Sequence, residues 1–351
     1  IARQLHDSLD SLSPEDERKQ IGDLLCTFVG QIDFGNDVEQ QLKVLVDCRA
    51  AFPNLDQVKD RLIYAVVQLA VKAHRLMKGH LTRKTANFIK ACLAYCHITI
   101  PSIDAVFTRL QLFQLCGQLS LVSGFLPQTD TFFKAAISIV PEIPEFLIDK
   151  RNTSTRTPTE TMVLPMLKSF LSSMVVVPGH HEHGPFYLVK GLLKAADKYP
   201  WKESKGNKIE LYLSLLPTLN AYTQRALPYT ISNVQSNDIL FGGNVRYIAA
   251  VNDMITTVVE SIMEQLGALG KLAKGNSTME KRMRELVIEF INVLVATTEV
   301  AEHVSLVQKL FKLCAGSEHS SFYMKTVQHI RMRSTETEVE ATRRGGQAAL
   351  R

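Results

Sequence analysis

The sequence predicts an all-α fold, a HEAT- or armadillo-like α-solenoid of antiparallel helix pairs, on three observations. Apolar residues recur with a helical period along almost the whole chain. The breaks between periodic segments are short and built from Gly, Pro or Asn, so successive helices must fold back as antiparallel neighbours. Helix pairs then recur roughly every 35–45 residues, the spacing of helical-repeat arrays. The repeats share spacing but no sequence signature.

Ser13-Pro14-Glu15-Asp16 opens a helix, with Ser as cap, Pro at the first position and acids in the first turn. Its apolar stripe is Ile21, Leu24, Leu25 and Phe28. The next helix carries Val38, Leu42, Leu45 and Val46, and a third, over 55–77, presents Leu62, Val66, Leu69 and Ala73. Helices over 81–98 and 102–122 follow, the latter with Ile103, Val106, Phe107, Leu110 and Phe113. The remaining helices are predicted at 128–139, 159–176, 184–198, 205–225, 240–270, 276–298, 301–315 and 319–331. In the longest, Ile248, Val251, Ile255, Val258, Ile262, Leu266 and Leu269 share one face; the next shows Met279, Met283, Leu286, Phe290 and Leu294. No stretch alternates with period two, so no sheet is expected. The polar segment Asp149–Thr159 reads as a surface loop. Residues 1–333 are expected to form one solenoid and 334–351 a disordered basic tail, since Lys325–Arg351 holds six basic and three acidic residues.

Composition bounds the function. The chain is 46% hydrophobic and 21% charged, with a net charge of +5, an ordinary globular make-up. Acids and bases are interspersed, as in Glu280-Lys281-Arg282, which argues against a nucleic-acid stripe. No run of about 18 apolar residues is present to span a bilayer. The six cysteines show no paired spacing and read as reduced thiols. With Ile1 in first position, the chain is expected to be a piece of a longer protein.

Chemical motifs are few. Cys92, Cys96 and His97 share a helix, but zinc needs four converging ligands and no second pair supplies them; they read as core residues. His180-His181-Glu182-His183 sits between Pro178-Gly179 and Gly184-Pro185, an inter-helix turn in which adjacent imidazoles cannot aim at one ion. Gly270 to Ser277 approaches a phosphate-binding loop, yet position 276 is Asn where Lys is needed, and a helix precedes it. Phe241-Gly242-Gly243-Asn244 is a turn or helix entry. No nucleophile elbow or zinc-protease motif occurs. No catalytic residue, cofactor or metal is therefore expected.

Six stretches together resemble the large subunit of retriever, the retromer-like endosomal recycling complex. They are Ala2–Ser13 (ARQLHDSLDSLS), Phe34–Leu42 (FGNDVEQQL), Arg83–Ser102 (RKTANFIKACLAYCHITIPS), Phe132–Pro144 (FFKAAISIVPEIP), Val176–Leu193 (VVPGHHEHGPFYLVKGLL) and Ser236–Asn244 (SNDILFGGN). Leu147–Thr161 and the chain after Ser334 depart from that pattern. The resemblance implies a non-enzymatic solenoid curving around a small metallophosphoesterase-fold subunit. An arrestin-fold subunit would bind the absent N-terminal half. A coiled-coil and COMM-domain assembly and a sorting-nexin cargo adaptor would complete the partners, on the cytoplasmic face of endosomes. Partner contacts are expected on inner faces between 160 and 330, where helices are apolar around much of their circumference, and at His183, Gly184, Phe241, Gly242, Gly243, Met254 and Val258. Competing readings are a paralogous retromer scaffold, a nuclear transport receptor, or an RNA-binding helical repeat.

Overall fold

The computed structural model describes residues 1–9, 12–78, 80–148, 156–180, 183–202, 205–222, 230–232, 234–241, 244–297, 304–314 and 320–332. These residues fall into two compact units. The first comprises Ile1–Glu145, Val176–Tyr199 and Tyr229–Gln235; the second Phe146–Val175, Pro200–Pro228 and Ser236–Arg351.

In the first unit the helices are α1 (Ala2–Asp7), α2 (Glu15–Gln31), α3 (Val38–Ala51), α4 (Asp56–Leu76), α5 (Arg83–Thr99), α6 (Val106–Val122), α7 (Leu126–Ile139) and, later in the chain, α9 (Tyr187–Lys198). Helices α2, α4 and α6 pack in succession as one row, and α3 packs on α5 in a second row. α4 closes on α5, and α6 on α7, as hairpins. This is the two-layer stacking the periodicity predicts, with the core between the rows. Leu62, Ile63, Val66 and Ala70 of α4 and Phe133 of α7 are fully buried, each large side chain contributing roughly 1.5–3 kcal/mol by leaving water. In α2 the period is as expected but the face is turned: Ile21, Leu25 and Val29 are buried, whereas Leu24 is 58% and Phe28 45% exposed.

Local chemistry sets the joints. Asp37 Oδ1 caps α3 by accepting the Gln40 N–H at 3.0 Å, and Thr82 Oγ1 caps α5 through the Thr85 N–H at 3.2 Å. Helix α6 lies so close to α7 that a Cβ on Gly117 would stand 2.3 Å from Phe133 Cε1; only glycine fits there.

The second unit begins with a two-stranded antiparallel hairpin, β1 (Phe146–Ile148) and β2 (Arg156–Pro158), in which Leu147 pairs with Thr157. This corrects the expectation of no sheet. Three residues per strand are too few for an alternating pattern to register. Most of the expected loop between them lies outside the described residues. Helices α8 (Glu160–Met174), α10 (Lys205–Ala221), α11 (Asn237–Phe241), α12 (Val245–Ala273), α13 (Ser277–Thr297) and α14 (Val304–Leu313) follow, and residues 321–332 form α15. The single helix expected at 240–270 is thus two, divided just after Phe241. Helix α10 is the hub, packing on α8, α12 and α13. The expected tail, 334–351, lies outside the described residues.

Candidate functional site

In the first unit, the turn that precedes α9 carries the histidines singled out from the sequence. His180 and Gly184 form an isolated antiparallel bridge: the Gly184 N–H donates to His180 O at 2.8 Å and the His180 N–H to Gly184 O at 3.3 Å. Gly184 adopts φ +82°, a left-handed conformation that costs glycine little. The bridge stacks the exposed His183 ring on His180, with centroids 4.8 Å apart and planes at 23°. Both rings abut Tyr187, at 5.7 and 5.9 Å. The Tyr187 hydroxyl donates to Asp130 of α7, which is also paired with Lys134 at 2.9 Å. The Lys134 ammonium lies 5.2 Å from the Tyr187 ring centroid. The result is a fixed, partly exposed aromatic and cationic knob on the α7–α9 side.

The other expected contact residues belong to the second unit. Phe241 stacks on Tyr247 at 5.3 Å and 16°; Gly242 and Gly243 lie outside the described residues. The Tyr247 hydroxyl donates to Tyr222 O at 3.0 Å, and the Tyr222 hydroxyl to Met174 O at 3.0 Å, tying α8, the end of α10 and the start of α12 together. Met254 is half-buried, whereas Val258 is 3% exposed and sits in the core. Along α12, Tyr247, Val251, Val258, Ile262, Leu266 and Leu269 form the buried stripe. Ile248, 45% exposed, and the half-buried Ile255 and Val259 lie beside it. This leaves an apolar flank open over the first half of the helix.

Sequence reasoning missed two polar constellations. Glu160, 2% exposed in the first turn of α8, accepts the Asn207 side-chain N–H at 2.8 Å. Glu210 on α10 is held by Lys168 of α8 and Arg282 of α13. Burial pushes the Glu210 carboxyl up, but the Lys168 hydrogen bond and the Lys168 and Arg282 charges outweigh it, leaving the group below the usual carboxylate range. Nearby Glu289 moves the other way, raised by burial and by the Glu210 charge. The partners are 42 and 72 residues from Glu210, so only a charge within the apolar run of α10 could have hinted at the cluster.

The thiols behave as expected of core residues. All six cysteines are free and all but Cys26 are buried. Burial pushes the Cys92 thiol up, and a hydrogen bond with Cys116 together with burial pushes Cys96 up, away from reactivity. His97 packs against the Phe132 and Phe113 rings at 5.5 and 6.3 Å. Among the described residues no group of three or more His, Cys, Asp or Glu could hold a metal ion, and no helix is long and apolar enough to cross a membrane.

The family profile described as the VPS35L C-terminal domain matches residues 1–344. The human protein named VPS35 endosomal protein-sorting factor-like is 37% identical over 344 residues, covering 97% of this chain and 35% of its own length. The protein of that name from Danio rerio is 41% identical over 272 residues, 77% of this chain and 28% of its own length. The Dictyostelium discoideum VPS35 endosomal protein sorting factor-like is 39% identical over 312 residues, 89% and 31% respectively. The chain therefore spans about a third of the length of these relatives. The match runs through both helical units and includes every segment on which the resemblance rested, so the chain belongs to the VPS35L C-terminal domain family.

Proposed function

We propose that this chain is the C-terminal α-solenoid, residues 1–333, of a non-enzymatic scaffold subunit in a heterotrimeric endosomal sorting complex of the retriever type. In this reading it holds the small metallophosphoesterase-fold subunit and supports retromer-independent recycling of cargo from endosomes to the plasma membrane. The arrestin-fold subunit binds the part of the protein outside this chain. A coiled-coil and COMM-domain assembly and a sorting-nexin adaptor join the complex, and the protein is peripheral to the cytoplasmic face of the endosome. No nucleic acid takes part.

The observation that carries the reading is the family match over nearly the whole chain, to relatives named for endosomal protein sorting. The chemistry agrees with it. The perturbed carboxylates Glu210 and Glu289 belong to an ion cluster that ties helices together. The features that reach the surface, the His180–Tyr187 knob and the α12 flank, are contact surfaces of aromatic and apolar character. A stable interface needs about 800 Å² from each partner, and the half-open α12 flank offers apolar side chains that a partner would bury as anchors of the kind that dominates binding energy. Ile248→Glu and Ile255→Glu place a charge on that flank while leaving the Val251 to Leu269 core stripe intact. Affinity purification of the full-length protein bearing both changes should lose the phosphoesterase-fold subunit while it remains folded. Undiminished recovery of that subunit would remove α12 from the interface, and its absence from the unmodified complex would overturn the reading as a whole.

A further inference from the structure

Helix α9 carries Lys190, Lys194 and Lys198, and all three are exposed. Their spacing of four residues sets them in a row about 12 Å long, turned away from the buried Leu188, Val189 and Leu192. Like charges four residues apart disfavour a helix, so the row works against the fold of α9 and asks for another reason. Among the described residues, none of the three lysines pairs with an acid. The acids that could neutralise them are few or engaged. Asp197 is the one acid in α9. Asp130 of α7 is held by Lys134 at 2.9 Å and by the Tyr187 hydroxyl. Glu142, in the turn Val140–Glu142 that packs on α9, is paired with Arg109 at 3.1 Å.

The row is also continuous with the aromatic knob. Tyr187, Gly191, Lys194 and Lys198 stand at i, i+4, i+7 and i+11, which is one face of a helix. The first two lie against α7: Tyr187 through Asp130, and Gly191 where an added Cβ would stand 3.7 Å from Ile137 Cδ1. The lysines thus prolong the seam between α7 and α9, with the exposed His183 ring at its entry and Lys134 on its α7 side.

We propose that this lysine row is a docking surface for an extended acidic segment of a partner protein. Charge sets the sign of the occupant, and spacing sets its conformation. The lysines recur about every 6 Å along α9, and alternate residues of an extended chain recur about every 6.6–6.8 Å. Carboxylates at every second position therefore face successive lysines. A partner helix would need apolar side chains to interlock with, and those of α9 face the core. A bilayer surface likewise calls for apolar side chains beside the lysines. Lysine presents a flexible point charge in place of the rigid fork of arginine, which suits a run of carboxylates with varied residues between them. The surface lies in the first unit and does not depend on the α12 flank.

The test is fluorescence anisotropy of the purified full-length protein with a labelled peptide bearing Glu at every second position. A control peptide carries the same number of Glu at every third position, where successive carboxylates fall on opposite faces of an extended chain. Saturable binding of the first peptide and weaker binding of the second are expected. Each exposed ion pair carries a factor of roughly 1.5–5, so Lys190→Gln, Lys194→Gln and Lys198→Gln together should weaken binding about tenfold. The triple change relieves like-charge repulsion, so its unfolding temperature should not fall. Co-sedimentation with phosphatidylserine vesicles is run in parallel. The proposal is overturned by no saturable peptide binding, by equal affinity for both peptides, or by binding that the triple variant retains in full. Lysine-dependent sedimentation with the vesicles in place of peptide binding overturns it too and makes the row a membrane contact.

Discussion

Gly117→Ala tests the closeness of the α6–α7 contact directly. In an ordinary helix interior the change stabilises by about 1 kcal/mol, because alanine has less backbone freedom to lose. At this position the added Cβ would stand 2.3 Å from Cε1 and 2.4 Å from Cδ1 of Phe133. The favourable separation of carbon atoms is about 3.5–4.0 Å, so the ring or the whole helix must retreat by more than 1 Å. Phe133 has no room to do so, being 0% exposed. Overpacking of this kind costs about 1–3 kcal/mol and more when backbone is displaced, so the clash outweighs the helix-propensity gain. The expected net loss is about 1–2 kcal/mol. For a cooperative unit of this size that lowers the unfolding temperature by roughly 2–8 °C, at about 2–4 °C per kcal/mol.

The comparison is Gly267→Ala in α12, where an added Cβ meets nothing within 4 Å; that variant should gain about 0.5–1 kcal/mol. Thermal unfolding followed by far-ultraviolet circular dichroism separates the two. In addition, Phe133→Leu combined with Gly117→Ala should be less destabilising than the sum of the single changes, because the smaller side chain vacates the contested space. A Gly117→Ala protein as stable as the parent, or stabilised like Gly267→Ala, would show that the helices are not held at this separation.

Glu210→Gln leaves Lys168 and Arg282 facing each other without their shared carboxylate and should cost about 1–3 kcal/mol by denaturant titration. Because the folded-state pKa of Glu210 is depressed, its contribution is complete above the unfolded carboxylate value of about 4.3 and is lost as pH falls through the folded value. The parent should therefore lose stability on acidification more steeply than Glu210→Gln, and parallel curves would contradict the assignment. Tyr187→Phe removes the hydrogen bond to Asp130 and should lower stability by about 1–2 kcal/mol, whereas His183→Ala, at an exposed ring, should change it by less than about 0.5 kcal/mol. Chelator treatment should leave the unfolding temperature unmoved and elemental analysis should find no stoichiometric zinc, because His180 and His183 are stacked face to face, which does not aim their lone pairs at one point.

Helical periodicity made most of the fold legible because burial on one side of a helix leaves a repeating mark in the sequence. Leu62, Val66, Leu69 and Ala73 were read as the inward face of α4, and all are buried. The mark says less about how far the apolar arc extends. In α2 the expected stripe of Ile21, Leu24, Leu25 and Phe28 holds at Ile21 and Leu25, with Val29 completing the buried face, whereas Leu24 and Phe28 are exposed; leucine and phenylalanine on the flank look the same in sequence as those at its centre. The hairpin of β1 and β2 left no mark, since three residues complete barely one alternation. The inter-helix turn expected at His183 and Gly184 is present, but the groups it packs against were not legible. Asp130 lies 57 residues from Tyr187, and no periodicity connects groups brought together by the packing of α7 on α9.

The segments that made the family recognisable have a physical character in common. FGNDVEQQL is a web of turn and cap bonds. Asp33 Oδ1 accepts the Gly35 N–H at 2.9 Å, Gln41 accepts the Phe34 N–H at 2.9 Å and donates to Ile32 O at 2.7 Å, and Asp37 caps α3. The SNDILFGGN segment ends on Asn244, whose Oδ1 caps α12 by accepting the Arg246 N–H at 3.0 Å. VVPGHHEHGPFYLVKGLL holds the Gly184 bridge and the hydroxyl that Tyr187 donates to Asp130. A core position accepts several apolar residues of similar volume, but a left-handed glycine, a two-way Gln bridge or an N-cap accepts very few. Joints of this kind set the direction in which each helix leaves its turn, and hence which faces of the array remain open to partners. On that reasoning Asn244→Ala should cost about 1 kcal/mol through the lost cap and, if the proposed α12 flank is an interface, weaken partner binding there by redirecting the start of the helix. If binding survives at full strength while stability falls, the joints serve folding alone and the α12 flank is not part of the interface.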